Sequence, residues 1–213
     1  MLDAFVDLLA APALSFGAAT VVSRAELLGA LLGLWMVGCN MRVDPLAWPL
    51  AIASSALYLL VFWQAKLYGD GALQILFIAI AAWGWWQWLR GTQDEGRTPL
   101  RVRHLTPRGR AAALAAMALL WPATGFFLDR ATDTDVPWWD AFPTAGSVIG
   151  QWLLARKYVE NWTAWVAVNA VAIALFAYRG LWPTTLRYAV FLALSRVGWR
   201  GWHRRAMAPE AAR

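Results

Sequence analysis

The sequence predicts an all-α integral membrane protein, and three observations carry that prediction: its composition, its recurring apolar stretches and an internal repeat. Of its 213 residues, 60% are hydrophobic and only 15% are charged, with a mean hydropathy of +0.46. A water-soluble domain has a far more even balance. Apolar stretches of about 18 residues recur along the whole chain, each long enough as a helix to cross a hydrocarbon core roughly 30 Å thick.

Taken in order, residues 1–25 form an N-terminal segment that reads as an amphipathic or partly inserted helix. Asp3 and Asp7 punctuate its start and Pro12 and Gly17 interrupt it, while no basic stretch precedes the apolar run as a cleaved secretory signal would require. The first three-helix repeat covers 26–90, with spans at 26–41, 46–65 and 70–89 separated at Arg42 and Lys66 and closed by Arg90. A basic loop follows at 91–110, then a linker transmembrane helix at 111–129 and an acidic loop at 130–140 that carries Asp133, Asp135 and Asp140. The second three-helix repeat covers 141–202, with spans at 141–155, 162–178 and 182–199, and a basic tail at 203–213 ends the chain.

Charge orients these spans. Fourteen Lys and Arg residues fall on the side of the 91–110 loop and the tail, four (Arg24, Lys66, Arg130, Arg179) on the other, and Arg187 lies within a span. Basic loops stay in the cytoplasm, so the C-terminus is expected inside. The formal charge of +6 is therefore a membrane signature and no nucleic-acid partner is expected. A lone Cys39 rules out an intramolecular disulfide, and His104 and His203 lack metal-ligand spacing, so no metal or other cofactor is expected. No phosphate-cradling G-x-x-x-x-G-K-[ST] loop exists to couple ATP. Glu26, Asp140 and Glu160 read as solvated helix-end charges rather than the intramembrane acids of an ion-coupled carrier, which leaves facilitated diffusion as the simpler energetics.

A shift of 114 residues aligns 42–88 with 156–202 without a gap. Arg42, Trp48, Ala53, Ala56, Phe62, Leu67, Phe77, Ala79, Gly84, Trp85 and Trp88 then fall on identical residues, 11 matches in 47 positions, against roughly 8% expected by chance. Each copy holds three spans and a single span lies between them. The second copy thus begins four crossings after the first, in the same orientation, as in transporters built from parallel repeats with a solute site where the halves meet.

Tryptophan is the loudest compositional signal, 16 of 213 residues. Trp63, Trp138, Trp139 and Trp182 at one boundary, and Trp86, Trp88, Trp199 and Trp202 at the other, read as interfacial belts. The sixth span differs, because Trp162, Trp165 and Asn169 in the spacing W-x-x-W-x-x-x-N share one helical face. An amide at that depth needs a partner, which spacing alone assigns to a neighbouring helix somewhat more readily than to a solute. Gln74 is a second amide at span depth, and the repeat register sets it opposite Tyr188. Amides, a phenol and indole faces in one cleft would suit a flat ring with polar edges, and indoles would add cation–π attraction to a cationic ring. With Arg187 as the deep cation, a heavily phosphorylated solute would meet few charge partners.

At these residues the chain resembles the bacterial PnuC-type vitamin transporters. The resemblance is carried by A-R-K-Y-V-E-N-W-T-A-W-V-A-V-N at 155–169, by G-W-W-Q-W at 84–88 with Leu73-Gln74 upstream, and by W-W-D-A-F-P at 138–143, over about residues 26–202. It implies a SWEET-like fold of 3+1+3 helices, two parallel three-helix repeats joined by a linker helix, assembled as a homotrimer in the bacterial inner membrane. It also implies import of nicotinamide riboside by facilitated diffusion for NAD salvage, with trapping through phosphorylation by a separate cytoplasmic kinase. The family's W-x-x-W-x-x-x-[ND] solute motif falls on Trp162, Trp165 and Asn169; Gln74, Tyr188 and, more weakly, Asn40 follow by span position. Thiamine or another B vitamin is the competing cargo. A membrane enzyme or a non-transporting interaction subunit is the competing class, although no nucleophile or acid–base pair is visible at membrane depth.

Overall fold

The first helix is started by its own side chains. Ser23 Oγ accepts a hydrogen bond from the Glu26 amide at 3.2 Å, and a Glu26 carboxylate oxygen accepts one from the Ser23 amide at 2.7 Å. This reciprocal box satisfies two of the donors that every helix start leaves open. In the computed structural model, which describes residues 9, 11–16, 20–64, 68–93, 98–132 and 134–208, seven helices follow in order. They are α1 (Arg24–Arg42), α2 (Ala47–Gln64), α3 (Tyr68–Arg90), α4 (Pro107–Ala131), α5 (Pro137–Ala155), α6 (Glu160–Tyr178) and α7 (Trp182–Met207). Asp3, Asp7, Gly17, Lys66, Leu67 and Asp133, named above, lie outside the described residues.

Each helix begins and ends within four residues of the expected span, except that α7 runs on to Met207. Three of them, α2, α4 and α6, are long and apolar enough to cross a membrane by length and composition among the described residues. Seven such spans were expected. The other four helices have the length but dilute their hydropathy, α3 and α5 with Trp and Gly, α1 with Arg24, Glu26 and Arg42, and α7 with Arg187, Arg196, Arg200, Arg204 and Arg205. The expected N-terminal helix is corrected over residues 12–16 and 20–23. There β1 (Pro12–Phe16) and β2 (Thr20–Ser23) pair antiparallel, and the Arg24 amide extends the pairing to the Ala11 carbonyl at 3.0 Å. β-Branched Thr20, Val21 and Val22 favour the strand, and Pro12 sits at a strand start, where its missing donor costs least. A second short pair, β3 (Thr92–Gln93) and β4 (Thr98–Pro99), lies in the basic loop.

The chain divides into two compact units, Met1–Trp85 and Trp86–Arg213, with the boundary inside α3. In the first, α1 packs on α2; in the second, α4 packs on α5, α5 on α6 and α6 on α7.

The internal repeat is written into the backbone. After α1, the amides of Val43 and Asp44 return to the carbonyls of Asn40 and Cys39 at 3.1 and 2.9 Å; after α5, those of Lys157 and Tyr158 return to Leu154 and Leu153 at 2.9 and 2.9 Å. Each of the four residues is displaced from its counterpart by 114. Val43 (φ 63°) and Lys157 (φ 56°) are the positive-φ residues other than glycine among the described residues. Left-handed conformation closes helix ends, but a β-branched valine there is strained, so the turn itself demands it. The following helix starts match too: Ala47 and Trp48 amides reach Asp44 and Pro45, while Asn161 and Trp162 amides reach Tyr158 and Val159, all at 3.1 Å.

Within each unit the tryptophan after this turn lies against a glycine. Trp48 covers Gly84 of α3, and Trp162 covers Gly198 of α7, where a β-carbon would stand 2.5 Å from the indole ring. No flexible side-chain end is available to give way, because both indoles are buried. Gly198→Val is therefore expected to cost about 1–3 kcal/mol through overpacking. It should lower the thermal midpoint of the detergent-purified protein, whereas Gly201→Val, on the same helix with nothing within 4 Å of its β-carbon position, should not.

Candidate functional site

The W-x-x-W-x-x-x-N stripe begins in the first turn of α6. Trp162 is 3% exposed, lies on Gly198 and meets Trp202 edge-on with centroids 5.8 Å apart. Its indole N–H is buried and has no hydrogen-bond partner among the described residues. Trp165 is half-buried and its ring lies over Gly150 of α5, 3.2 Å from where a β-carbon would be. Asn169 is buried, and its amide nitrogen donates to Ser195 Oγ of α7 at 3.2 Å. Ser195 in turn donates to the Phe191 carbonyl at 2.7 Å. The three residues thus share a face, as their spacing requires, but split between two neighbours: Trp162 and Asn169 engage α7, and Trp165 engages α5.

Tyr188 stacks on Phe176 with centroids 5.2 Å apart and planes 12° from parallel, and meets Phe191 edge-on. The second unit therefore brings together Trp162, Trp165, Asn169 and Ser195 along the α6 packing face, with Tyr188 two turns before Ser195 on α7. Gln74, half-buried on α3, and Asn40, buried in the last turn of α1, belong to the first unit.

Ser195, Gly150 and Gly198 were not singled out from the sequence as site residues. Gly198 does carry a signal, since it is an aligned identity of the repeat; Ser195 does not, because Ala81 stands at its counterpart. The belt assignment needs correction at two positions. Trp63, Trp86, Trp139 and Trp182 are more than half exposed, but Trp88 and Trp202 are 7% and 0% exposed and lie 6.1 Å from each other. Trp88 donates its indole N–H to the Leu154 carbonyl at 3.1 Å, a buried partner that the interface could not improve on.

Glu160 is more than a solvated helix-end charge. Its carboxylate accepts from the Leu105 amide at 3.0 Å, from Arg110 at 3.1 Å and pairs with His104 at 3.2 Å. His104 also meets His203 of α7 at 3.1 Å between ring nitrogens, a contact across 99 residues that no local spacing encodes. Beside it, residue 103 bridges to the α5–α6 turn: the Arg103 amide donates to the Lys157 carbonyl, and the Val159 amide donates to the Arg103 carbonyl. Lys157 donates to the Leu100 carbonyl at 3.1 Å and lies over the Trp88 ring, and burial pushes its ammonium below the usual lysine range. The basic loop is therefore strapped onto the turn that starts α6. At the opposite end of α6, Arg179 pairs with Asp135 at 2.7 Å and Asp140 at 3.6 Å.

Residues 23–204 match the family described as nicotinamide mononucleotide transporter. The chain is 25% identical over 205 residues to the nicotinamide riboside transporter PnuC of Escherichia coli K12, covering 85% of each. It is 29% identical over 180 residues to the riboflavin/roseoflavin transporter RibM of Streptomyces davaonensis, covering 84% of each. Among solved structures, the crystal structure of the vitamin B3 transporter PnuC superimposes with a TM-score of 0.68 at 22% identity, covering 85% of this chain and 81% of that one. A multi-helix fold with apolar helices and the family match define a member of a membrane transporter family. More narrowly, the chain belongs to the nicotinamide mononucleotide transporter family.

The Glu160 strap is testable apart from transport. Removing a charged acceptor costs about 1.5–3 kcal/mol per hydrogen bond where the site is buried, and less here because Arg110 is largely exposed. Glu160→Ala should open the 100–110 segment and speed tryptic cleavage at Arg101, Arg103 and Arg108 roughly tenfold, read by limited proteolysis of the purified protein.

Proposed function

We propose that this protein imports nicotinamide riboside across the bacterial inner membrane by facilitated diffusion, for NAD salvage. Phosphorylation by a separate cytoplasmic kinase would trap the solute and maintain the gradient. The arrangement we propose is SWEET-like, 3+1+3, with parallel three-helix repeats, a C-terminus in the cytoplasm and three copies per assembly. Matching turns and matching indole-on-glycine contacts in the two copies support the duplication.

One observation carries the site: Asn169, a buried amide in an apolar helix, is held by Ser195 beside a half-buried indole and a buried indole N–H without a partner. Polar groups are kept in such surroundings at a cost that function repays. In this reading Asn169 bonds the polar edge of the solute ring, and Trp165 and Trp162 offer aromatic faces to it. Gln74, Tyr188 and Asn40 supply further polar contacts. With Arg187 as the deep cation, the unphosphorylated riboside is favoured over its phosphate.

The Streptomyces relative makes riboflavin a second cargo to weigh, and thiamine, with its own cationic ring, is a third. Quenching of tryptophan fluorescence in the purified protein, titrated with nicotinamide riboside, its 5′-phosphate, riboflavin and thiamine, separates them. Saturable quenching by the riboside alone is the expected result. Riboflavin or thiamine acting alone would retain the transporter and change its cargo. In proteoliposomes, Asn169→Ala and Trp165→Ala should each reduce riboside uptake at least tenfold while the protein still assembles, consistent with the roughly 1–3 kcal/mol lost when a polar solute atom is left unpaired. Uptake unaffected in both variants would overturn the site.

A further inference from the structure

At the end of the α6–α7 pair where α6 begins and α7 ends, a surface groove of about 370 Å³ is lined by Thr163 and Val166 of α6 and by Arg196, Trp199 and Arg200 of α7. Arg196, Arg200 and Arg204 follow at intervals of four, so they form one stripe about 12 Å long. All three are exposed, and among the described residues no carboxylate pairs with any of them. Several other arginines of this unit are engaged instead. Arg110 is spent on Glu160, Arg179 on Asp135, and Arg156 on the Gln87 side chain at 3.0 Å.

The groove is a composite of charge and apolar surface. Trp199 is 39% exposed and stacks on His203 with planes 12° apart, Val166 adds a branched apolar wall, and Thr163 contributes a hydroxyl at the level of the first turn of α6. That level is where a membrane-crossing helix meets the headgroup layer, the depth that Trp favours and where basic grooves between helices meet lipid phosphates. A soluble anion would need the arginines alone. The apolar half of the groove requires an occupant with a hydrocarbon part.

We infer that this groove is a binding site for an anionic phospholipid, with Arg196 and Arg200 on the phosphate and Trp199 with Val166 against the glycerol and first acyl carbons. Arg204, one turn further out, adds to the field on the headgroup. The same two helices carry Asn169 and Ser195, so the lipid would brace the pair from its outer side. The inference rests on the chain being membrane-embedded and not on the identity of its cargo.

The test uses the full chain purified in detergent, with phosphatidylglycerol or phosphatidylcholine added and retained lipid counted by native mass spectrometry. Phosphatidylglycerol should be retained in preference to phosphatidylcholine and should raise the thermal midpoint. Each arginine is worth roughly fivefold in binding, so Arg196→Gln with Arg200→Gln should weaken phosphatidylglycerol retention about 25-fold. Arg108→Gln, another exposed arginine, should leave it unchanged. The single variants serve in place of the double one if the latter loses its lipid-free thermal midpoint. Equal retention of both lipids, wild-type retention by the variants, or stabilisation of the same size by inorganic phosphate would overturn the proposal. So would loss of oligomeric mass in the double variant with phosphatidylglycerol retention intact, which would assign the stripe to contact between copies.

Discussion

An indole can lie flat against a neighbouring helix only where that helix offers bare backbone, and this constraint governs both units. Trp162 on Gly198 and Trp48 on Gly84 set how closely the second helix of each repeat approaches the third. In an apolar medium there is little hydrophobic drive between helices, so close packing on small residues must supply the association. Gly146 and Gly150 of α5 continue the pattern, receiving Val168 and Trp165 from α6. With these seats occupied, the rotation of α6 is fixed, and the depth and heading of Asn169 follow from it.

Rotation alone would still leave α6 free to slide along its axis. The turn before it, with Lys157 held at φ 56°, the backbone bridge to Arg103 and the Glu160 strap, anchors that end. The sequence pattern marks Glu160 only as an acid at a helix start, and its geometry explains why an acid is needed there: it neutralises Arg110 and satisfies the Leu105 amide while lying at the positive end of the helix dipole. The other end of α6 is held by Arg179 on Asp135 and Asp140. A helix pinned at both ends and seated in the middle is a rigid carrier for the polar group it buries.

What the sequence makes legible follows from how local each cause is. Seven helices could be read because apolar length is a property of contiguous residues, and the repeat because Arg42, Trp48, Gly84 and Trp88 recur at one fixed offset. The strands at 12–16 and 20–23 were missed because a four- or five-residue apolar run satisfies either period, and their β-branched residues decide only once a partner strand is present. Trp88 and Trp202 were read as belt residues because helix-end position does not reveal facing. Ser195 and the His104–His203 contact stayed invisible for a different reason. Each is an arrangement of residues 26 or 99 positions apart, chosen by the fold and marked by nothing nearby in the chain.

The two repeats share a frame but not the same polar content, and that asymmetry separates what packs the helices from what is polar within them. Where the second copy buries Asn169 against Ser195, the first has Ser55 and Ala81; where the first has Gln74, the second has Tyr188. Asn40 of the first copy falls on Leu154. These copies differ at their polar positions while keeping the Trp48–Gly84 and Trp162–Gly198 seats, so packing and buried polarity lie on different residues. Substitution at the seats should change how well each unit packs, whereas substitution at the unmatched polar groups should leave that packing in place.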